Sequence, residues 1–371
     1  MKYTKLILST SLFLTPSFIH INSRGDSNLL DPKFVGQSKD SEEKYFKQIK
    51  SELYRLEQAM TALAKSSVAR NYIGSANISI HYNDRIAFEI NEGSHSKTAY
   101  SLASVTKPIT SFAILQLIEY EELKLSATIN ELLPELSSQF PAFNGKRITV
   151  KNLLQHTSGI PYIGTKPVCA PGSRFMYSNY NYKLLAMIIE RVSGQSYASF
   201  IRENVFKALD MNDSKVAASA DGASGIMASN SDLAKFASVF VNEGRYGEEI
   251  YLTTDVIKKI FRLPVHIARS NYMEYYGLGW RVTAVDSKVK HFYHKGIWDG
   301  IFAEISVFPK NKSYVVQLAS PPSYKAAGFS SYQGQMSYLT NKYIETLEKL
   351  PKKYEHYLSN RYAVTEELSE N

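Results

Sequence analysis

Ser104-Val-Thr-Lys107 pairs a hydroxyl with an amine three residues apart. On a helix, positions i and i+3 share a face, so this spacing sets the lysine beside the serine. A serine hydroxyl is a weak nucleophile until a base takes its proton, and a desolvated lysine has a low enough pKa to be that base. The same spacing recurs at Ser41/Lys44, Ser94/Lys97 and Ser287/Lys290, but in polar or linker-like surroundings. Only Ser104 opens a strongly apolar helical stretch, whose first turn would aim free N–H groups at a developing oxyanion and tolerate Pro108. Two further groups complete a candidate site. Tyr177-Ser-Asn179 lies on a loop after Pro171-Gly172; its tyrosine is suited to relaying a proton and its asparagine amide to holding a substrate carbonyl. His294-Lys-Gly296 is expected at the end of a strand at 291–293, where Gly296 lets a substrate backbone approach closely and His294 donates a hydrogen bond or tunes the lysine.

Ser-x-x-Lys, Tyr-x-Asn and His-x-Gly in this order resemble the motifs of the class C β-lactamase-like serine hydrolases, which include penicillin-binding DD-peptidases, D-aminopeptidases and esterases. Leu153-Leu-Gln-His-Thr-Ser-Gly-Ile160, Tyr276-Gly-Leu-Gly-Trp280 and the hairpin ending at Phe308-Pro309 are also similar, so the resemblance covers roughly residues 70–345. It implies that Ser104 is acylated, Lys107 is its base, Tyr177 the proton relay and Asn179 the substrate-amide contact. It places His294 where many relatives carry a lysine, and it makes the Ser104 and Ile297 N–H groups the oxyanion hole. No cofactor is implied. The histidine puts recognition of a substrate carboxylate in doubt, and Lys295 would face the other side of a strand. The expected activity therefore leans towards an esterase or D-aminoacyl hydrolase. A β-lactamase or DD-carboxypeptidase is the alternative, and a non-hydrolysing penicillin-binding or scaffold protein a further one. His156 is expected to be structural.

These residues need elements to hold them. Apolar residues three or four apart from Tyr45 to Leu63 predict a helix. Residues 76–82 alternate with period two, Asn83-Asp84 is a turn, and 86–90 answers it as a hairpin. Helical patterns follow at 105–123, 184–192, 197–209, 232–241 and 254–260. Strands are expected again at 277–282, 291–293, 302–308 and 313–318, then a helix from Gln335 to about Tyr357. Early strands, a helical middle and late strands predict an α+β fold. One antiparallel sheet is built from both chain ends, flanked by helices, with a mostly helical region inserted at about 108–270, as in the β-lactamase/transpeptidase-like architecture.

Composition bounds the rest. With 44% hydrophobic and 21% charged residues, the chain is neither disordered nor fibrous. One cysteine, Cys169, allows no internal disulfide, and the eight histidines form no HExxH motif, so no metal site is expected. The net charge of +8 is spread along the 371 residues without a recognisable basic module, which argues against nucleic acid. Lys2 and Lys5 precede an apolar run at 6–14, the pattern of an export signal over residues 1–23. The expected layout is then a linker at 24–44, a hydrolase domain at 45–350 and a polar tail at 351–371. The substrate would be a small-molecule or cell-wall-derived compound in the periplasm or cell envelope, with membrane contact only through an uncleaved signal.

Overall fold

A computed structural model describes residues 39–262, 264–269, 273–285, 288–321, 329–351 and 354. The expected signal segment at 1–23, most of the linker and nearly all of the tail lie outside these residues. Helix α1 (Lys39–Ala69) begins at Lys39 instead of Tyr45, so residues 39–44 are helical and not linker. Asp40 and Glu42 in its first turn favour that earlier start by facing the positive end of the helix dipole. The expected hairpin follows as β1 (Ser75–Tyr82) and β2 (Arg85–Glu92). Asn83 and Asp84 both have positive φ, +49° and +60°, as the tight two-residue turn between twisted strands requires.

The inserted region contains β3 (Tyr100–Ser101), α2 (Thr106–Glu119), α3 (Ile129–Leu132), α4 (Val150–Leu154), α5 (Asn179–Ser193) and α6 (Tyr197–Ile201). It continues through β4 (Lys215–Val216), β5 (Ile226–Ala228), α7 (Asn230–Val241), β6 (Arg245–Tyr246), β7 (Glu249–Ile250) and α8 (Thr254–Arg262). The chain then enters a meander of β8 (Val265–Arg269), β9 (Met273–Tyr276), β10 (Arg281–Val285), β11 (Lys288–Trp298), β12 (Ile301–Phe308) and β13 (Ser313–Ser320), and ends in α9 (Phe329–Leu347).

All eight long-sheet strands pair antiparallel in the order β2-β1-β13-β12-β11-β10-β9-β8. The amino-terminal hairpin thus completes a carboxy-terminal meander, and the α+β reading holds. The alternation of strand side chains divides two cores. Tyr314, Val316 and Leu318 of β13 face α2, α5 and α7, whereas Val315 and Ala319 face α1 and α9. Helix α2 is buried all round from Thr106 to Leu117, which makes it the central pillar of the helical layer.

Four expected elements are corrected. Residues 277–280 form a turn, with the Gly277 N–H donating to Trp280 O at 2.8 Å and Gly279 at φ +86°, so β10 starts only at Arg281. Strand β11 runs on through Gly296 to Trp298, which places His294 inside a strand. The helix expected at 197–209 ends at Ile201 and passes into a π-helical turn, Arg202–Phe206. Helix α9 starts at Phe329 and stops at Leu347, with its buried face set by Tyr332, Met336, Tyr343 and Ile344.

Candidate active site

Ser104 lies in one 3-10 turn, Ala103–Val105, between β3 and α2. Ala103 has φ +44°, a left-handed conformation that costs an L-residue about 1–2 kcal/mol. Surrounding structure has to impose such strain. Here the Leu102 N–H donates to Ile226 O, and the Val105 N–H to Leu102 O, each at 2.9 Å. The turn presents Ser104 Oγ to Lys107, whose Nζ donates to it at 3.0 Å and to Ala223 O at 3.0 Å.

Lys107 is completely buried, with its Nζ 5.1 Å from the centre of the Tyr177 ring and 5.7 Å from that of Tyr182. It makes no ion pair among the described residues. Burial disfavours its charged form and draws the pKa from an ordinary 10.5 to about 7, against the opposing pull of the Asp221 carboxylate. Asp221 itself accepts from the Ala223 and Ser224 N–H groups at 3.0 and 3.1 Å, and so fixes the loop that offers Ala223 O.

Tyr177 also hydrogen-bonds Ser104 through its hydroxyl, and burial holds its pKa up at about 12. It is therefore a neutral phenol at physiological pH, able to pass a proton. His156 positions it. The Met176 N–H donates to His156 O at 2.7 Å, the Ser178 N–H to His156 Nδ1 at 3.2 Å, and the two rings pack at 4.3 Å. His156 is fully buried, and its pKa is driven well down by burial and then by the Lys107 charge. It holds the peptide groups on both sides of Tyr177 and stays neutral.

His294 lies on β11 with only 1% of its surface exposed. Its Nδ1–H donates to Lys295 O at 3.0 Å, so Nε2 is left to accept from the Tyr276 hydroxyl, also at 3.0 Å. Both ring nitrogens are thus committed to the protein. Burial first, then the Lys107 and Arg281 charges, keep the imidazole uncharged. Gly296 follows where β11 touches the nucleophile turn. A Cβ there would lie 2.1 Å from Leu102 O and 3.0 Å from Ser104 N, so only glycine permits this approach. Ile297 next to it lines a pocket of about 490 Å³ together with Ser104, Tyr177 and His294.

The structure thus brings together Ser104, Lys107, Tyr177, His294, Gly296 and Ile297. Asn179 opens α5, and its buried Oδ1 has no hydrogen-bond partner among the described residues. Lys295 lines the pocket, but its ammonium turns to the α9 face, 3.3 Å from Glu304 Oε2 and 3.1 Å from Ser337 Oγ. Three pocket residues went unforeseen: Glu274, Arg281 and Tyr293. Arg281 Nη1 and the Tyr293 hydroxyl both donate to Glu274 Oε1, at 2.8 and 2.5 Å. Their signal was the Gly-Leu-Gly turn at 277–279, which aims the start of β10 at the site.

A serine–lysine–tyrosine cluster with a buried lysine, beside a closely approaching strand, is an acyl-transfer arrangement on a sheet flanked by helices. The family pattern described as Beta-lactamase matches residues 63–328, and the chain belongs to that family of serine hydrolases. Protein flp of Staphylococcus aureus (strain MW2) is 28% identical over 186 residues, 42% of this chain and 37% of that protein. Penicillin-binding protein 4* of Bacillus subtilis is 31% identical over 147 residues, 33% of this chain and 31% of that protein. These matches span only about a third of the curated relatives' own length. Among solved structures, the octameric penicillin-binding protein homologue from Pyrococcus abyssi superposes with a TM-score of 0.63 at 22% identity, covering 76% of this chain and 77% of that one.

Proposed function

We propose that the protein is an exported serine hydrolase that works through an acyl-enzyme on an ester or D-aminoacyl amide or ester of cell-envelope origin. The observation that carries this reading is the fully buried Lys107 Nζ, 3.0 Å from Ser104 Oγ and without a carboxylate partner. Ser104 Oγ attacks the substrate carbonyl while its proton passes to neutral Lys107. The Ser104 and Ile297 N–H groups take the oxyanion, and Tyr177 hands a proton to the leaving group as the carbon–heteroatom bond breaks. Water then attacks the acyl-enzyme by the same route in reverse. Export rests on Lys2, Lys5 and the apolar run at 6–14.

One observation favours a second reading, a β-lactamase or DD-carboxypeptidase. His294 is neutral and engaged, yet Arg281 lines the same pocket and commits only Nη1 to Glu274. Its remaining N–H groups suit a substrate carboxylate. The name of the Bacillus subtilis relative agrees. Both readings are separated by intact-mass time courses of wild type and Ser104→Ala with a p-nitrophenyl ester and with a penicillin. Ester turnover with a transient acyl adduct on wild type alone supports the first reading. A penicillin adduct, or penicillin gaining water, that is lost in Arg281→Ala supports the second. A penicillin adduct that persists without turnover of either compound points to a non-hydrolysing binder. Equal turnover by Ser104→Ala would sink the acyl-enzyme mechanism altogether.

A further inference from the structure

The pocket that holds Ser104 opens between two segments that present large apolar side chains to solvent. On one side, the loop at 161–175 exposes Tyr162 by 59%, Ile163 by 88% and Val168 by 57%. On the other, the tip of the β11–β12 hairpin exposes Ile297 by 55% and Trp298 by 69%. The two segments flank one opening, because the Tyr162 ring packs 6.3 Å from Tyr177, and Tyr177 and Ile297 line the same pocket. Half of the ten large hydrophobic residues exposed among the described residues therefore belong to these two segments, which is not how isolated surface apolars scatter.

The rim residues project outward. Ile163 and Trp298 do not line the pocket, so a substrate seated there would leave them wet. The hairpin tip is also stiff. Asp299 and Gly300 both have positive φ in a two-residue turn closed by the Trp298–Ile301 pair, so little conformational freedom has to be lost on contact. Charge adds a direction. The loop at 161–175 carries Lys166 and Arg174, both exposed and without an ion pair among the described residues, and no acidic residue. Asp299 is the one acid at the hairpin tip, against a chain that is +8 overall. Tyrosine, tryptophan and isoleucine on projecting loops beside unpaired cations suit the boundary of an anionic lipid bilayer.

We propose that this rim seats the catalytic mouth on an anionic membrane surface, with Ile163 and Trp298 entering the headgroup–acyl boundary and Lys166 and Arg174 facing lipid phosphates. The sequence reading allowed membrane contact only through the amino-terminal apolar run. The rim is a second point of attachment, and it turns Ser104 towards compounds held at that surface. Catalytic chemistry is not needed for it, so Ser104→Ala must dock as well as wild type.

The chain carries its own probe. Of its two tryptophans, Trp280 is fully buried and Trp298 is at the rim. The full-length protein is mixed with phosphatidylglycerol vesicles containing bromine-labelled acyl chains, and tryptophan emission and co-sedimentation are read together. The expected result is a blue shift and quenching of the exposed tryptophan, with weaker binding to phosphatidylcholine vesicles. Ile163→Ser is expected to weaken partition by about tenfold, the consequence of one isoleucine no longer entering an apolar phase, while soluble-ester turnover is unchanged. Co-sedimentation without quenching would put the contact elsewhere, at the amino-terminal run, and overturn the proposal. So would no association, equal binding to both lipids, or an Ile163→Ser variant that binds like wild type.

Discussion

In the proposed mechanism Lys107 serves as the base because burial lowers its pKa, not because of any partner that pulls its proton off. Its pKa near 7 has a definite sign for activity. Below about 7 the ammonium predominates and cannot accept the Ser104 proton, whereas above it the neutral amine can. The rate of Ser104 acylation, followed as kcat/KM on a soluble ester, is therefore expected to rise with pH along a limb with an apparent pKa near 7. The Asp221 charge raises that pKa, so Asp221→Asn should shift the limb to lower pH while its side-chain oxygen still caps the loop. Lys107→Arg keeps a permanent cation and should lose about 10²–10⁴-fold, the usual worth of a general base. A limb that stays put in Asp221→Asn would mean that another group titrates. At this scale the sequence was informative about residue type but not about state. Ser104, Lys107 and Tyr177 were legible from spacing and surroundings. The lowered pKa of Lys107 was not, because it comes from burial among groups distant in sequence, Tyr177 and Tyr182 among them.

Elements supply the precision that side chains alone lack. Strand β11 meets the Ala103–Val105 turn at Gly296, and this contact sets the gap between Ser104 N and the peptide of Ile297. Gly296→Ala would drive a methyl into Leu102 O and push strand and turn apart. A misplacement of about 1 Å can cost on the order of 100-fold in rate, so kcat is expected to fall by at least that factor. The change sits beyond the last pairing of β11 with β10, at Tyr293, and leaves the backbone pairing of Gly296 with Ala303 of β12 available, so the far-ultraviolet spectrum should be unaltered. Wild-type kcat in Gly296→Ala would show that the close approach is not what builds the oxyanion site. The same glycine explains a misreading. It looked like the end of a strand at 291–293, yet β11 continues because Gly296 is there to admit a neighbouring backbone. The glycines at 277 and 279 misled the other way. They lie in a turn, so Arg281 opens β10, pairs with Tyr293 across the sheet, and reaches the pocket. Period-two alternation made the β1–β2 hairpin legible because Ala76, Ile78 and Ile80 enter the apolar core with α1 and α9, whereas Asn77, Ser79 and His81 on the other face meet polar partners. The Glu274–Arg281–Tyr293 cluster was not legible, since it depends on which strands lie side by side.

Across the whole molecule, the two chain ends close the sheet face opposite the site. Helix α1, strand β2 and helix α9 meet at Tyr343, whose hydroxyl donates to Glu57 Oε1 at 2.8 Å and to Ala87 O at 3.2 Å, a link spanning 286 residues from α9 to α1. Glu57 is only 5% exposed and Tyr343 fully buried. Tyr343→Phe keeps the ring and its packing on Phe88, but it removes a donor from a buried carboxylate. Losing a hydrogen bond to a buried charged group costs about 1.5–3 kcal/mol, so thermal unfolding should move down by several degrees. The catalytic cluster stands on the other face of the sheet, in the core built on α2. Ser104 acylation below the unfolding transition should therefore match wild type. A parallel loss of both quantities would mean that the outer helices also set the height of β11 against the nucleophile turn, through the Lys295–Glu304–Ser337 contacts that tie that strand to α9. Stability lost with acylation intact would instead establish the sheet as a rigid partition, with the chain ends sealing one side and the chemistry confined to the other.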